Sequence, residues 1–198
     1  IRAYLNGLFF ELNKDSLTVV ATDGHRLSIG EVKQSNDLEE RKTVILPRKA
    51  VLELTKLLNK STQDTAEIHL SDNYFSLIDT NTKIISRLID GNFPNYKQVM
   101  PTDFSNTIII DRMDFLSSLQ QASIFVDERT KGVKLVFRDD KLSIFSHSER
   151  GRAETQLVIT RQEKELEIAF NIHYLISILD KLTTTKVNMV IPSGENKS

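Results

Sequence analysis

The sequence has no cysteine, no tryptophan, only four prolines and seven glycines in 198 residues, and no excess of charge, with 26 basic against 27 acidic side chains. Each shortage excludes something. Without cysteine there is no disulfide, thiol nucleophile or thiolate metal site, which fits a reducing compartment and makes the cytoplasm the expected location. With a formal net charge of −1, the chain as a whole is not drawn strongly to nucleic acid, so any DNA contact must come from a local patch. No apolar run approaches the roughly 20 residues needed to cross a bilayer, and the N-terminus lacks the basic-then-apolar order of a signal peptide.

Catalytic constellations are missing too. His69, His147 and His173 show no metal-ligand spacing, and no glycine-rich loop closing on Lys-Ser or Lys-Thr is present to cradle a phosphate. Asp23, Asp79 and Asp90 are too scattered for a metal-binding carboxylate cluster. Asp23 and His25 alone carry a general-base or metal reading, and a lone pair at that spacing is weak evidence for either. No catalytic residue, metal or cofactor is therefore expected.

What is present is an ordinary globular composition, 39% hydrophobic and 27% charged, long enough for two domains of about 100 residues each. The informative feature is an internal repeat. Gly7 to Val19 (GLFFELNKDSLTV) overlays Gly132 to Ile144 (GVKLVFRDDKLSI), and Leu46 to Leu58 (LPRKAVLELTKLL) overlays Phe170 to Leu182 (FNIHYLISILDKL), both shifted by about 125 residues. Each unit thus holds a hairpin, turning at Asn13-Lys14-Asp15 or Asp139-Asp140, and later a short amphipathic helix.

The first helix is predicted over 47–58, with Pro47 at its first position and Val51, Leu54 and Leu58 covered. The second is predicted over 171–182, capped by Asn171, with Ile172, Leu175, Ile178 and Leu182 covered. A further helix, about 111–125, is capped by Asp111, carries Asp114 in its first turn and covers Phe115, Leu116 and Leu119. The boundary is expected near Met100 to Asn106, giving domains 1–101 and 102–198 of α+β class with antiparallel sheets on one side of paired helices. Shifting the Asp111 helix back by one period places its counterpart before residue 1, and shifting Phe75 to Val99 forward places theirs past Ser198. A longer polypeptide is the expectation.

The segment Thr18 to Leu27, TVVATDGHRL, resembles the bacterial DNA sliding clamps, the beta subunits of DNA polymerase III, in which a strand ends in this Thr-Asp-Gly-His-Arg-Leu turn. Val44 to Leu54 (VILPRKAVLEL) and Asp90 to Pro101 (DGNFPNYKQVMP) match the same family in order, and Ala122 to Leu135 with Phe170 to Leu182 extend the resemblance more weakly over most of the chain. The resemblance implies most of the second and third of three clamp domains, in a homodimeric ring around duplex DNA with helices lining the hole. It implies a non-catalytic processivity factor of DNA replication, with polymerase subunits, the clamp loader and repair proteins as partners. On DNA it places Arg2, Tyr4, Arg48, Lys49 and Lys56, with Lys60 further along, and Ala3 stands where relatives carry an aromatic. At the dimer edge it places Ile124 and Phe125. For any single basic residue the plainer reading is a solvated helix face.

By the same resemblance partners dock short linear motifs in a hydrophobic cleft between the second and third domains. It carries over to Leu5, Thr22, Gly24, His25, Arg26, Leu27, Pro94, Val99 and Asn196, with Gln98 where relatives often have arginine. Independently of any family, Leu5, Leu27, Pro94 and Val99 can supply apolar walls, Gly24 a tight turn, and His25 and Arg26 a polar rim. Phe93 is expected to be buried and Tyr96 to lie nearer the cleft. Two rivals remain at this stage: a nuclease or transferase needing clustered carboxylates and a divalent metal, and a β-rich interaction module with no DNA role.

Overall fold

A computed structural model describes residues 3–35, 38–104, 106–160 and 165–191. The chain divides into two compact units, Ile1–Gln98 and Val99–Ser198.

In the first unit, strands β1 (Gly7–Asn13), β2 (Ser16–Thr22), β3 (Leu27–Lys33) and β4 (Lys42–Pro47) form an antiparallel sheet in the order β3-β2-β1-β4. Lys14 and Asp15 make the two-residue turn between β1 and β2, with Asn13 opposite Ser16 and its side-chain amide donating to the Ser16 hydroxyl at 3.3 Å. Helix α1 (Arg48–Leu58) follows β4, and β5 (Glu67–Leu70), β6 (Tyr74–Asp79) and β7 (Thr82–Arg87) form a second antiparallel sheet.

Alternation along β1 sends its side chains to opposite faces, and both faces are covered. Phe10 packs with Leu46, Leu54 of α1, and Phe75 and Leu77 of β6. Phe9 faces the other way, into a cluster with Val20, Ile45 and Tyr96. Glu11, two residues along from Phe9, is buried on that second face.

The second unit runs β8 (Thr107–Asp111), α2 (Arg112–Ser123), β9 (Gly132–Arg138), β10 (Lys141–Ser148), β11 (Gly151–Val158), β12 (Leu166–Asn171), α3 (Ile172–Leu179) and β13 (Lys186–Val190). Its main sheet has the order β11-β10-β9-β12, while β13 pairs with β8. Both units therefore wind the same four-stranded topology, strand for strand. The correspondence reaches the helix entries: Gly7 pairs with Pro47, the N-cap of α1, and Gly132 pairs with Asn171, the N-cap of α3. One large core, including Ile108, Phe115, Leu119, Leu135, Phe137 and Ile172, joins this sheet to both helices.

Helix α2 follows its sequence pattern. The Asp111 carboxylate accepts from the amides of Met113 at 2.9 Å and Asp114 at 3.1 Å, and Phe115, Leu116 and Leu119 are buried, together with Ala122. The other helices correct the sequence reading in detail. Pro47 is the N-cap of α1 rather than its first residue, and of the expected stripe Leu54 is buried, Val51 half-buried and Leu58 47% exposed. Helix α3 ends at Leu179, with Ile178 at 41% and Leu182 at 39% exposure. Its covered face is Ile172, Leu175, Ile176 and Leu179, the i, i+3, i+4, i+7 set counted from Ile172, the first helical residue, and Ile178 falls outside it. Asn171 caps as expected, accepting from the His173 amide at 3.1 Å. Among the described residues no helix is long and apolar enough to cross a membrane.

Candidate partner-docking site

The turn from β2 to β3 is held by its own side chains. The Thr22 hydroxyl donates to the Arg26 carbonyl at 2.8 Å and accepts from the Gly24 amide at 3.1 Å. One Asp23 carboxylate oxygen accepts from the amides of His25 and Arg26, each at 3.0 Å, and the other accepts from the Arg26 guanidinium at 3.0 Å. The His25 amide, then the Arg26 amide and charge, hold the Asp23 carboxyl below its ordinary range against a partial penalty from burial. Gly24 has φ +89° with open space where a Cβ would sit, so glycine is there for its backbone conformation rather than for clearance.

Beside this turn lies a pocket of about 340 Å³ whose lining is mostly apolar. Leu5, Leu8, Ala21 and Val51 supply its carbon surface, and Thr22, Asp23, Arg26 and Arg48 its polar groups. Gly7 forms part of the floor because β1 and β4 approach closely there: a Cβ on Gly7 would lie 2.7 Å from Ile45 Cγ2 and 2.8 Å from the Leu46 carbonyl oxygen. A rigid polar turn next to an oily hollow is the arrangement that accepts an apolar side chain of an extended segment.

Of the cleft residues expected from sequence, Leu5, Thr22 and Arg26 line this pocket, and Gly24 and His25 form the exposed turn beside it. Leu27, expected as a wall, is half-buried against the Phe9, Val20, Ile45 and Tyr96 cluster. Pro94 and Gln98 are exposed on the segment after β7, and Val99, 71% exposed, opens the second unit. Asn196 lies outside the described residues, as does Arg2. Among the other residues grouped as DNA-facing, Tyr4 is half-buried with its ring edge-on to Phe93 at 5.8 Å, and Lys49 is exposed. Lys56 is exposed but paired with Glu53 at 2.8 Å. Arg48 belongs to the pocket lining. Ile124, just past the end of α2, is 68% exposed, whereas Phe125 is half-buried with its ring where a Cβ on Gly151 would meet it at 3.1 Å.

Of the two aromatic expectations, that for Tyr96 is reversed and that for Phe93 holds in part. Tyr96 is 8% exposed and part of the core, while Phe93 is only half-buried, stacked on Phe9 at 4.7 Å. The reason is Glu11, which sequence reasoning missed. Its side chain, 4% exposed, accepts from the Tyr96 hydroxyl at 3.1 Å and pairs with Arg41 at 3.0 Å and Lys97 at 3.3 Å. Burial pushes the Glu11 carboxyl up, and the Tyr96 hydroxyl, the Lys97 ammonium and the charge of Arg41 together outweigh it, leaving the group below its ordinary 4.5. Among the described residues no group of three or more histidine, aspartate or glutamate side chains converges as a metal site.

Comparison with known proteins agrees in both halves. Residues 1–95 match the family described as DNA polymerase III beta subunit, central domain, and residues 97–197 match its C-terminal domain. The beta sliding clamp of Pseudomonas putida is 31% identical over 199 residues, covering 100% of this chain and 54% of the relative. That of Haemophilus influenzae is 34% identical over 191 residues, covering 96% of this chain and 52% of the relative. A crystal structure of the Pseudomonas aeruginosa sliding clamp bound to griselimycin superposes with a TM-score of 0.91 at 30% identity, over 96% of this chain and 52% of that one. The chain thus spans about half the length of the relatives it matches. With both of its units matched in order, it belongs to the bacterial DNA polymerase III beta subunit family, the beta sliding clamps.

Proposed function

We propose that this chain is the client-docking part of a DNA polymerase processivity factor, a non-catalytic subunit of the DNA polymerase III holoenzyme that encircles duplex DNA as a homodimeric ring in the cytoplasm. The observation that carries this reading is the apolar pocket beside the self-bonded Thr22 to Arg26 turn, in a chain whose relative was crystallised with griselimycin bound. Polymerase subunits, the clamp loader and repair proteins insert an apolar side chain of a short linear motif there. Topological linkage to DNA then keeps them at high local concentration near the primer end.

A ring that slides needs few and weak phosphate contacts, which a net charge near zero permits. Exposed Lys49 and the pocket-lining Arg48 are the basic groups of α1 best suited to meet phosphate; Lys56 contributes less because Glu53 already neutralises it. Domains 1–101 and 102–198 correspond to the second and third clamp domains, and exposed Ile124 contributes to the ring's dimer edge.

The test uses the full-length protein loaded onto nicked circular DNA by its loader. Retention on the circle and release when the circle is linearised is the expected result; a protein that stays bound after linearisation, or never loads, overturns the clamp reading. For docking, Leu5→Asp is the sharper variant than Leu27→Asp, because Leu27 also packs on the core. Leu5→Asp is expected to abolish binding of client peptides in fluorescence polarisation while leaving the circular dichroism spectrum unchanged.

A further inference from the structure

The sheet of β5, β6 and β7 has two unlike faces. One packs Phe75 and Leu77 against Phe10, Leu46 and Leu54 of α1. Strand alternation turns the other residues away from that core. Glu67, Ile78 and Lys83 form one outward row, His69, Ser76 and Ile85 the next, and Tyr74 with Arg87 the third. On this outer face Ile85 is 61% exposed and Tyr74 52%. Lys83 and Arg87 are exposed on either side of Ile85, and among the described residues neither side chain has a hydrogen-bond or ion-pair partner. Glu67, the acidic member of these rows, stands two strands from Lys83 and meets His69 Nε2 at 2.9 Å instead. Along β7 the face therefore reads cation, hydrocarbon, cation, at intervals of about 7 Å.

We propose that this face is a second docking surface, and that it takes an acidic protein segment with one apolar residue between two carboxylates. It shares no residue with the pocket beside the Thr22 to Arg26 turn, so it stands or falls separately from that site. The two uncompensated cations set the sign of the partner by charge complementarity. Ile85 selects protein over nucleic acid: a branched aliphatic side chain midway between the cations gives a phosphate backbone nothing to pair with, and Tyr74 is the single exposed ring on the face, where single-strand binders stack successive bases on several. Duplex DNA threaded through a ring does not supply the negative charge, because the face is turned away from α1. An extended occupant has the same two-residue period as β7, so it can set carboxylates on Lys83 and Arg87 while its middle side chain covers Ile85. Arg87 fixes direction by taking its carboxylate through two parallel hydrogen bonds, and Lys83 acts as a point charge.

The test follows fluorescence polarisation of fluorescein-labelled, C-terminally amidated peptides with the full-length protein. Their centres are Glu-Ser-Leu-Ser-Glu, Gln-Ser-Leu-Ser-Gln or Glu-Ser-Ser-Ser-Glu in a glycine-serine background, and a labelled oligothymidylate of similar length is the nucleic-acid arm. The Glu-flanked leucine peptide is expected to bind about 3- to 10-fold more tightly than the Gln-flanked one, as suits two solvent-screened pairs. That ratio falls to about 1 in the double variant Lys83→Gln, Arg87→Gln, persists in Leu5→Asp, and shrinks as ionic strength rises. Ile85→Ser brings the leucine-centred peptide down to the affinity of the serine-centred one. All three side chains are exposed, so these variants are expected to keep the wild-type circular dichroism spectrum. Equal Glu and Gln binding, no binding by any peptide, a ratio that survives the double variant, or one that disappears in Leu5→Asp overturns the proposal. Oligothymidylate binding that is lost in the double variant but kept in Ile85→Ser gives the face to nucleic acid and overturns it as well. None of these results except the loss in Leu5→Asp involves the pocket, so failure here is distinguishable from failure of the docking function proposed above.

Discussion

Glu11→Gln isolates the charge that holds the end of the first unit onto its sheet. The substitution keeps size and still offers Tyr96 an oxygen, but removes the negative charge from a side chain only 4% exposed. Arg41 and Lys97 are 57% and 62% exposed, so each ion pair is screened and contributes about 1 kcal/mol or less. Turning the Tyr96 bond from a charged into a neutral one costs about 1 kcal/mol more. The expected loss is about 2 to 3 kcal/mol at pH 7. Because the folded carboxyl lies below its ordinary 4.5, this stability is fully present above that value and is lost as pH falls through the folded pKa. The gap between wild type and variant should therefore be constant from pH 7 to about 5 and close below about 4.5. Urea unfolding followed by circular dichroism measures it, with hydrogen exchange of residues 7–22 and 93–98 locating it in the first unit. A variant as stable as wild type at pH 7, or a gap that stays constant down to pH 3, refutes the reasoning.

Three further outcomes are expected. Gly7→Ala forces a methyl to within 2.7 Å of Ile45 and 2.8 Å of the Leu46 carbonyl, so it should cost about 2 kcal/mol or more in denaturant unfolding. Asp111→Ala frees the amides of Met113 and Asp114 and should lower stability by about 1 kcal/mol; no change in thermal melting would contradict the capping role. Ile124→Asp, at a position 68% exposed, should yield monomers of the full-length protein in sedimentation with an unchanged circular dichroism spectrum. A retained dimer removes Ile124 from the subunit contact.

The sequence disclosed the repeat because hairpin turns are local: Lys14-Asp15 and Asp139-Asp140 advertise themselves through turn chemistry between alternating strands. Helix α2 was legible for the same reason, since its cap and its stripe lie within one short segment. In helix α3 the expected Ile178 and Leu182 are exposed, and Ile176 and Leu179 are covered in their place. Leu179 and Ile178 are equally apolar, and only the sheet beneath decides which of them is covered. Glu11 could not be foreseen, because the hydroxyl that makes a buried carboxylate tolerable there comes from Tyr96, far along the chain, and the two preceding phenylalanines gave no hint that a third residue in the row was enclosed too. The docking site fell between these cases. The turn residues Thr22 to Arg26 announced a tight polar corner, but the inclusion of Arg48 and Val51 in the same hollow depends on how α1 departs from β4.

The rings of Tyr4, Phe93, Phe9 and Tyr96 bring the first and last described segments of the first unit together on one face of its sheet. Tension applied to the chain at both ends of this unit is met by that aromatic clasp together with the Glu11 contacts to Tyr96 and Lys97, before the ladders behind them are loaded. An optical-trap extension should accordingly register an early yielding event as the rings part, with the strands shearing only at greater length.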